Sequence, residues 1–445
     1  MANIKKIISH HRAITIVLTL GFLASIAYSF YFQVNVTVDA RAYDSIAISL
    51  VRGTGYTEIT RPDLPDAAIG RLGPGYEFFL AGIYWVFGHQ VWIVWIIQSL
   101  LHTFSALFVY FFVRRFLKEP EWPAVLGAGV YIFFIDLLEF PAMLLTETLY
   151  LFLVLAALTC AFNYVERERI GDVAGAAALF TLALLVRPPI TIAMMVFLGF
   201  VVFRRQYRHA IIFSAVALVF LTPWTVRNYI RYQRVIVTSA IIGYDVWVGN
   251  SPESRHIGEL VATDEIDRYS EEEGLFAANE RGTREVLSFA LKHPGDFISL
   301  QFTKTSIYFS AARPAAFWFH LRGVPQLLTI LFSSSFVYTI FVFGFAGLWR
   351  IGRRSDAFSR LFVLLTLAAP VGIIWIVAET RYRYQIYPML IVAGALFLHD
   401  FLKDKKAHWR VLVISCILVT ANTVFDFAHN SARVLERFDR IRRVL

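Results

Sequence analysis

The chain has 445 residues, of which 57% are hydrophobic and only 17% charged, with a mean hydropathy of +0.58. A soluble domain carries about 25% charged and roughly 45–50% apolar residues, so this balance excludes a disordered chain, a secreted disulfide scaffold and an ordinary soluble enzyme. Both cysteines, Cys160 and Cys416, lie in apolar runs, which leaves no disulfide framework or thiolate metal site, and the formal net charge of +9 matters chiefly for where it sits.

A membrane span needs about 20 apolar residues, with a range of roughly 17–25. In chain order, candidate spans cover 13–32, 91–113, 122–138, 144–163, 172–186, 189–203, 210–225, 327–348, 358–378, 386–402 and 409–427. The expectation is an all-α integral membrane protein with about eleven transmembrane helices. Cytoplasmic loops are rich in Lys and Arg. Lys5, Lys6 and Arg12 precede the first span, and Arg114, Arg115 and Lys118 follow the second. Arg167 and Arg169 follow the fourth, and Arg204, Arg205 and Arg208 the sixth; the eighth and tenth are also followed by basic loops. Every second loop is basic, which puts the amino terminus in the cytoplasm. The first span lacks a small-residue cleavage site and is read as retained. With eleven spans, Arg433, Arg437, Arg440, Arg442 and Arg443 fall outside, unless the tail lies on the surface as an amphipathic helix.

The opposite loops are long. Residues 33–90 form a first outer loop, and 229–326 a net acidic outer segment expected to be mostly helical. This divides the chain into an amino-terminal transmembrane catalytic module over 1–228, the outer segment over 229–326 and carboxyl-terminal transmembrane helices over 327–445. No repeat of 20–50 residues is visible, and there is no P-loop, GxGxxG, HExxH or CxxC. The basic inner loops are orientation signals, so nucleic acid is not an expected partner.

Tyr43, Ala47 and Leu50 fall on one helical face after the first span, with Asp39 at its start and Gly53 and Gly55 at its end. This predicts a short amphipathic helix lying along the membrane. A second half-helix is expected between Gly73-Pro74-Gly75-Tyr76 and Gly88. Asp39 is either an interfacial helix cap or a base at the membrane edge. Charges near span centres cost about 2.5–3.5 kcal/mol, so Glu147 and Arg187 at span ends read either as paired or snorkelling interfacial residues or as site residues. Asp136 and Glu139 are expected to be solvated, and Arg227 to be structural. Trp224, Trp247 and Trp318 are candidates to stack on a sugar face, or belt and core residues.

Asp39-x-x-x-Tyr43-x-x-x-Ala47, the Pro74-Gly75-Tyr76 half-helix, Thr146-Glu147, Leu185-Val186-Arg187-Pro188, Pro223 to Tyr229, Gly249-Asn250 and Glu379-Thr380-Arg381-Tyr382-Arg383 together resemble the GT-C glycosyltransferases. Within these the chain is similar to the protein O-mannosyltransferases and lipid A aminoarabinose transferases. The resemblance covers nearly the whole chain and rests on the order of the motifs, since no single one is highly specific. It implies a GT-C-type helical bundle that moves a sugar, with inversion, from a polyprenyl-phosphate donor to a lipid, glycan or protein acceptor. The reaction is expected at the periplasmic or extracellular face of the plasma (inner) membrane, among membrane lipids.

The resemblance implies Asp39 and Glu147 as catalytic carboxylates and Arg71, Arg187, Arg381 and Arg383 as donor-phosphate ligands. Arg41, Tyr43 and Lys304 are secondary candidates. Ala40 stands where many members have a second acid, and Ala42 where some have Arg. The resemblance requires no cofactor. Gly70 occupies the position from which an acid can hold a metal, so no metal site is expected there, although a divalent metal elsewhere stays open. The chemistry suits these residue types: a positioned carboxylate takes the proton of the attacking hydroxyl, while Arg forks hold a phosphate that gains charge. A transporter or flippase of lipid-linked sugars is the alternative. It would share the spans but tends to show two similar halves, which are not visible here.

Overall fold

The computed structural model describes residues 12–34, 38–61, 66–251, 264–312, 320–378 and 380–429. Among these the regular structure is entirely helical. The first helix, α1 (Arg12–Phe32), is followed by the outer-loop helices α2 (Val38–Val51) and α3 (Gly75–Phe87). Next come α4 (Val91–Phe116), then α5 (Trp122–Phe133) and α6 (Ile135–Leu138), which break from each other by 59°. α7 (Glu147–Arg167), α8 (Ile170–Val186), α9 (Thr191–Phe203) and α10 (Tyr207–Tyr232) complete the amino-terminal bundle. The outer segment holds α11 (Ile242–Asn250), α12 (Asp264–Glu273), α13 (Leu275–Lys292) and α14 (Pro294–Tyr308). The chain closes with α15 (Val324–Gly352), α16 (Ala357–Ile374), α17 (Tyr387–Lys403) and α18 (Lys405–His429).

Each of the eleven candidate spans is helical, but they are not equal. Seven of the described helices are long and apolar enough to cross a membrane, or eight if the bent pair counts as one. α8, α9 and α17 are shorter, at 17, 13 and 17 residues. Leu218 and Val219 on α10 and Ile417 and Leu418 on α18 are more than half exposed, as expected where lipid replaces water as the solvent for apolar side chains.

Polar residues inside the bundle repair the breaks in its backbone. Beyond the α5–α6 bend the chain leaves helical geometry, freeing carbonyls that must be satisfied locally. Gln98 of α4 donates its Nε2 to the carbonyls of Pro141 (3.1 Å) and Met143 (2.8 Å), and accepts from the Tyr76 hydroxyl (3.0 Å). Asp136 and Glu139, expected in solvent, are buried; Asp136 Oδ1 accepts from Ser333 Oγ at 2.7 Å. The bend turns this segment inward, so a short polar stretch between two apolar runs is not a loop tip.

The outer segment has its own small core around Trp247, Ile266, Val286, Phe289 and Leu300. On α13, Ala278, Gly282, Val286 and Phe289 are buried along one stripe, the pattern of a helix with a single packed face. A second cluster joins Ile46, Ile69, Leu185, Trp224 and Ile236, and the Ala240 amide donates to the Ile69 carbonyl at 3.0 Å. The first outer loop therefore sits between the bundle and the outer segment.

Candidate active site

Two close backbone approaches assemble the site. A Cβ at Gly73 would lie 2.2 Å from the Leu185 carbonyl oxygen, and one at Gly249 would lie 2.1 Å from that of Ile376. Only glycine permits either contact. The first presses the turn before α3 against the end of α8, so Arg71 and Arg187 come to line one cavity. The second presses α11 against the end of α16. Arg187 itself has φ −149° and ψ 122°, the extended geometry that a following proline favours, and this ends α8 and directs the arginine out of the helix.

One cavity results. Asp39 and Tyr43 from α2, Gly70 and Arg71, Arg187 to Pro189, Asp245 from α11, the end of α16, and Arg381 and Tyr382 all line it. Asp39, Tyr43, Arg71, Arg187 and Arg381, five of the site candidates, are thus brought together. Asp39 and Tyr43 lie on α2, the helix expected after the first span, and Arg71 lies just before α3, the expected half-helix.

Arg71 is fully engaged. Its Nε and Nη2 bind both oxygens of Glu58 at 2.7–3.0 Å, and its Nη1 reaches Asp39 Oδ1 at 3.4 Å. The Glu58 side chain is only 2% exposed, whereas that of Asp39 is 48% exposed. Burial works against the charge of Arg71, but the hydrogen bonds and charge of Glu58 outweigh it and raise its pKa. Arg71, expected as a donor-phosphate ligand, is thus in contact with Asp39, and the rest of its fork is taken by Glu58.

Arg187 and Glu147 form a buried pair. Nη1 of Arg187 donates to Glu147 Oε1 at 2.6 Å and to Thr146 Oγ1 at 3.0 Å, and both charged side chains are at most 5% exposed. Arg187 Nε has no hydrogen-bond partner among the described residues. The Tyr382 ring lies 4.9 Å from the Arg187 guanidinium and 4.7 Å from that of Arg381, and Arg381 Nη2 also donates to the Tyr382 hydroxyl at 2.6 Å. A single aromatic ring thus gathers two cations at the cavity, each attracted by its π face.

Three candidates lie elsewhere. Arg383 is fully buried and donates to the carbonyls of Thr380 and Ser310, so it braces the core and does not line the cavity. Lys304 is buried, its Nζ 2.9 Å from Asn250 Oδ1 and 3.2 Å from the Ile376 carbonyl; burial lowers its pKa to about 7. It latches α14 and α11 to the end of α16. Arg41 is exposed and does not line the cavity.

Trp224 and Trp247 are buried packing residues, the former donating to the Thr238 carbonyl at 2.9 Å. Arg227 stacks on Tyr56, Trp224 and Tyr232, in keeping with a structural role. Trp318, Glu379 and the tail arginines lie outside the described residues.

Sequence reasoning did not single out Glu58 or Asp245. Glu58 stands beyond a glycine turn in a polar stretch and carries no periodic signal. Asp245 sits within a short apolar helix, and an isolated acid in apolar surroundings was a usable cue. Burial, and then the charge of Asp39, push Asp245 up to about 7. Among the described residues no group of three or more His, Cys, Asp or Glu could hold a metal ion.

Comparison with known proteins agrees with this architecture. Residues 71–226 match the family model of the dolichyl-phosphate-mannose-protein mannosyltransferases. No curated protein matches the chain in sequence. The archaeal oligosaccharyltransferase AglB from Archaeoglobus fulgidus, solved with an inhibitory peptide and a dolichol-phosphate, superposes with a TM-score of 0.52 at 13% identity. That match covers 96% of this chain and 56% of AglB. ArnT from Cupriavidus metallidurans, solved with undecaprenyl phosphate, gives a TM-score of 0.50 at 12% identity, covering 93% of this chain and 64% of ArnT. The chain thus spans less than two thirds of either structure. It is a multi-pass membrane protein with the GT-C fold, and residues 71–226 tie it to the dolichyl-phosphate-mannose-protein mannosyltransferase family model.

Proposed function

We propose that the chain is an inverting glycosyltransferase that moves a sugar from a polyprenyl-phosphate donor to an acceptor hydroxyl at the outer face of the membrane. The observation that carries this reading is the convergence of a half-exposed carboxylate, Asp39, with Arg187 and Arg381 in one cavity. Two guanidiniums gathered on one tyrosine ring at the cavity suit a phosphate, whose oxygens accept the parallel hydrogen bonds that an arginine fork donates.

In the reaction, the acceptor oxygen attacks the anomeric carbon as the bond to the phosphate oxygen breaks. Asp39 takes the hydroxyl proton, a role worth about 10²–10⁴-fold. The phosphate leaves with additional negative charge, which Arg187 and Arg381 stabilise. Arg71 holds the Asp39 carboxylate in place and is itself fixed by Glu58. Glu147 anchors Arg187. The first outer loop and the end of α8 supply most of this machinery within residues 1–228, and the outer segment closes the cavity over the reacting groups.

The test is incubation of the purified chain with radiolabelled polyprenyl-phosphate sugars and envelope lipids, glycans and proteins. Label is expected to move from one donor to an acceptor, with inversion at the anomeric carbon. Movement of intact donor across vesicles without any transfer would instead establish a flippase.

A further inference from the structure

The cavity contains a second carboxyl that the chemistry above does not use. Asp245 comes from the outer segment and lines the same space as Asp39, Arg187 and Arg381. Among the described residues its side chain makes no hydrogen bond or ion pair. This is unusual for a partly buried acid, since an unsatisfied polar group carries a desolvation cost. Its position is well fixed: Asn250, on the same helix, donates to the carbonyls of Trp375 (3.1 Å) and Ile376 (3.2 Å). The Gly243 amide donates to Asn279 Oδ1 at 2.6 Å, and Gly249 sits directly on Ile376. A rigid helix that presents an unpartnered acid into a site has the form of a preorganised ligand contact.

The charge of the surroundings limits what it can contact. A carboxyl beside Asp39 is a poor neighbour for the phosphate, which the arginines already attract. It suits a neutral polyol, whose hydroxyls can donate to it or, when it is protonated, accept from it. With Asp245 pushed to about 7 by burial and by Asp39, both forms are present near neutral pH. We infer that Asp245 binds hydroxyl groups of the transferred sugar, so that the outer segment reads the sugar while the transmembrane module holds the phosphate. This rests on the glycosyltransferase reading.

The test compares two probes, undecaprenyl phosphate and undecaprenyl phosphate mannose, titrated into the full chain in detergent. Asp245→Ala is expected to weaken binding of the mannosyl lipid about tenfold, the scale of one lost hydrogen bond, with affinity for the bare phosphate lipid unchanged. Asp245→Asn, which keeps hydrogen-bonding atoms, is expected to stay within about threefold of the unmodified chain. Unchanged bare-lipid affinity also confirms that each variant is folded. Equal weakening of both lipids, or of neither, overturns the assignment to the sugar while leaving the phosphate site intact. So does an effect of Asp245→Ala that vanishes when a chelator is added, because the carboxyl then acts through a metal ion. If the unmodified chain binds neither lipid, the glycosyltransferase reading falls and this inference falls with it.

Discussion

Two arginine–glutamate pairs stand behind the cavity, and they are built differently. Arg71 gives Nε and Nη2 to Glu58 and Nη1 to Asp39, so its fork is occupied. Arg187 gives Nη1 to Glu147 and Thr146 and keeps Nε without a partner among the described residues. An engaged guanidinium positions what it holds, and one that also lines the cavity with a less occupied fork is the better placed to meet a ligand. On the function proposed above, this difference suits Arg71 to orienting the base and Arg187 to contacting the donor, although both are arginines lining one space.

The largest expected effect tests the group that Arg71 positions. Asp39→Asn should lower transfer by about 10²–10⁴-fold with an unchanged melting profile, and full activity would remove the base. Next comes the buried pair. Glu147→Ala leaves the Arg187 charge uncompensated and should cost about 3–5 kcal/mol in detergent unfolding, while Glu147→Leu combined with Arg187→Met should recover most of it. A stable single variant would show that solvent reaches the pair.

The comparison itself is sharpest in steady-state kinetics. Arg381→Ala should raise KM for the donor about tenfold or more, the scale of a charge-assisted hydrogen bond. Arg71→Lys, which loses the two-pronged contact, should instead lower kcat about tenfold with little change in KM. Exchange of these two signatures would mean that Arg71 touches the phosphate after all.

The smallest effect concerns Glu77 on α3, fully buried with Oε1 accepting from Tyr56 at 3.1 Å and Oε2 without a hydrogen-bond partner among the described residues. Burial raises its pKa from 4.5 to about 8. A carboxyl raised on folding stabilises the native state fully below pH 4.5 and loses that contribution as pH climbs through about 8. Glu77→Gln should therefore flatten the decline in stability over this window. An equally steep decline in the variant would place its origin in another group.

Much of the site was legible in the sequence because helix periodicity and span ends are one-dimensional signals. Asp39 lies in the first turn of α2, Arg187 directly follows α8 and Arg381 lies in the turn before α17, and helix ends on one side of a bundle converge. Arg383 was misplaced for a geometric reason: residues 380–385 form a 3₁₀ turn, in which successive side chains rotate by about 120°. Two arginines two positions apart therefore cannot face the same way. Lys304 failed differently, as its burial depends on carbonyls at Trp375 and Ile376, more than 70 residues distant, which no local pattern reveals. Asp136 and Glu139 were hidden by the 59° break, which composition does not announce.

The contact between Gly73 and the Leu185 carbonyl has a consequence for how the active site can diversify. Main-chain atoms fix the spacing of the two segments that carry Arg71 and Arg187, so exchanging side chains on that wall alters its lining without moving its backbone. The opposite boundary is pinned in the same way, by Gly249 against the Ile376 carbonyl, so a different fit inside the cavity has to come from the side chains that line it.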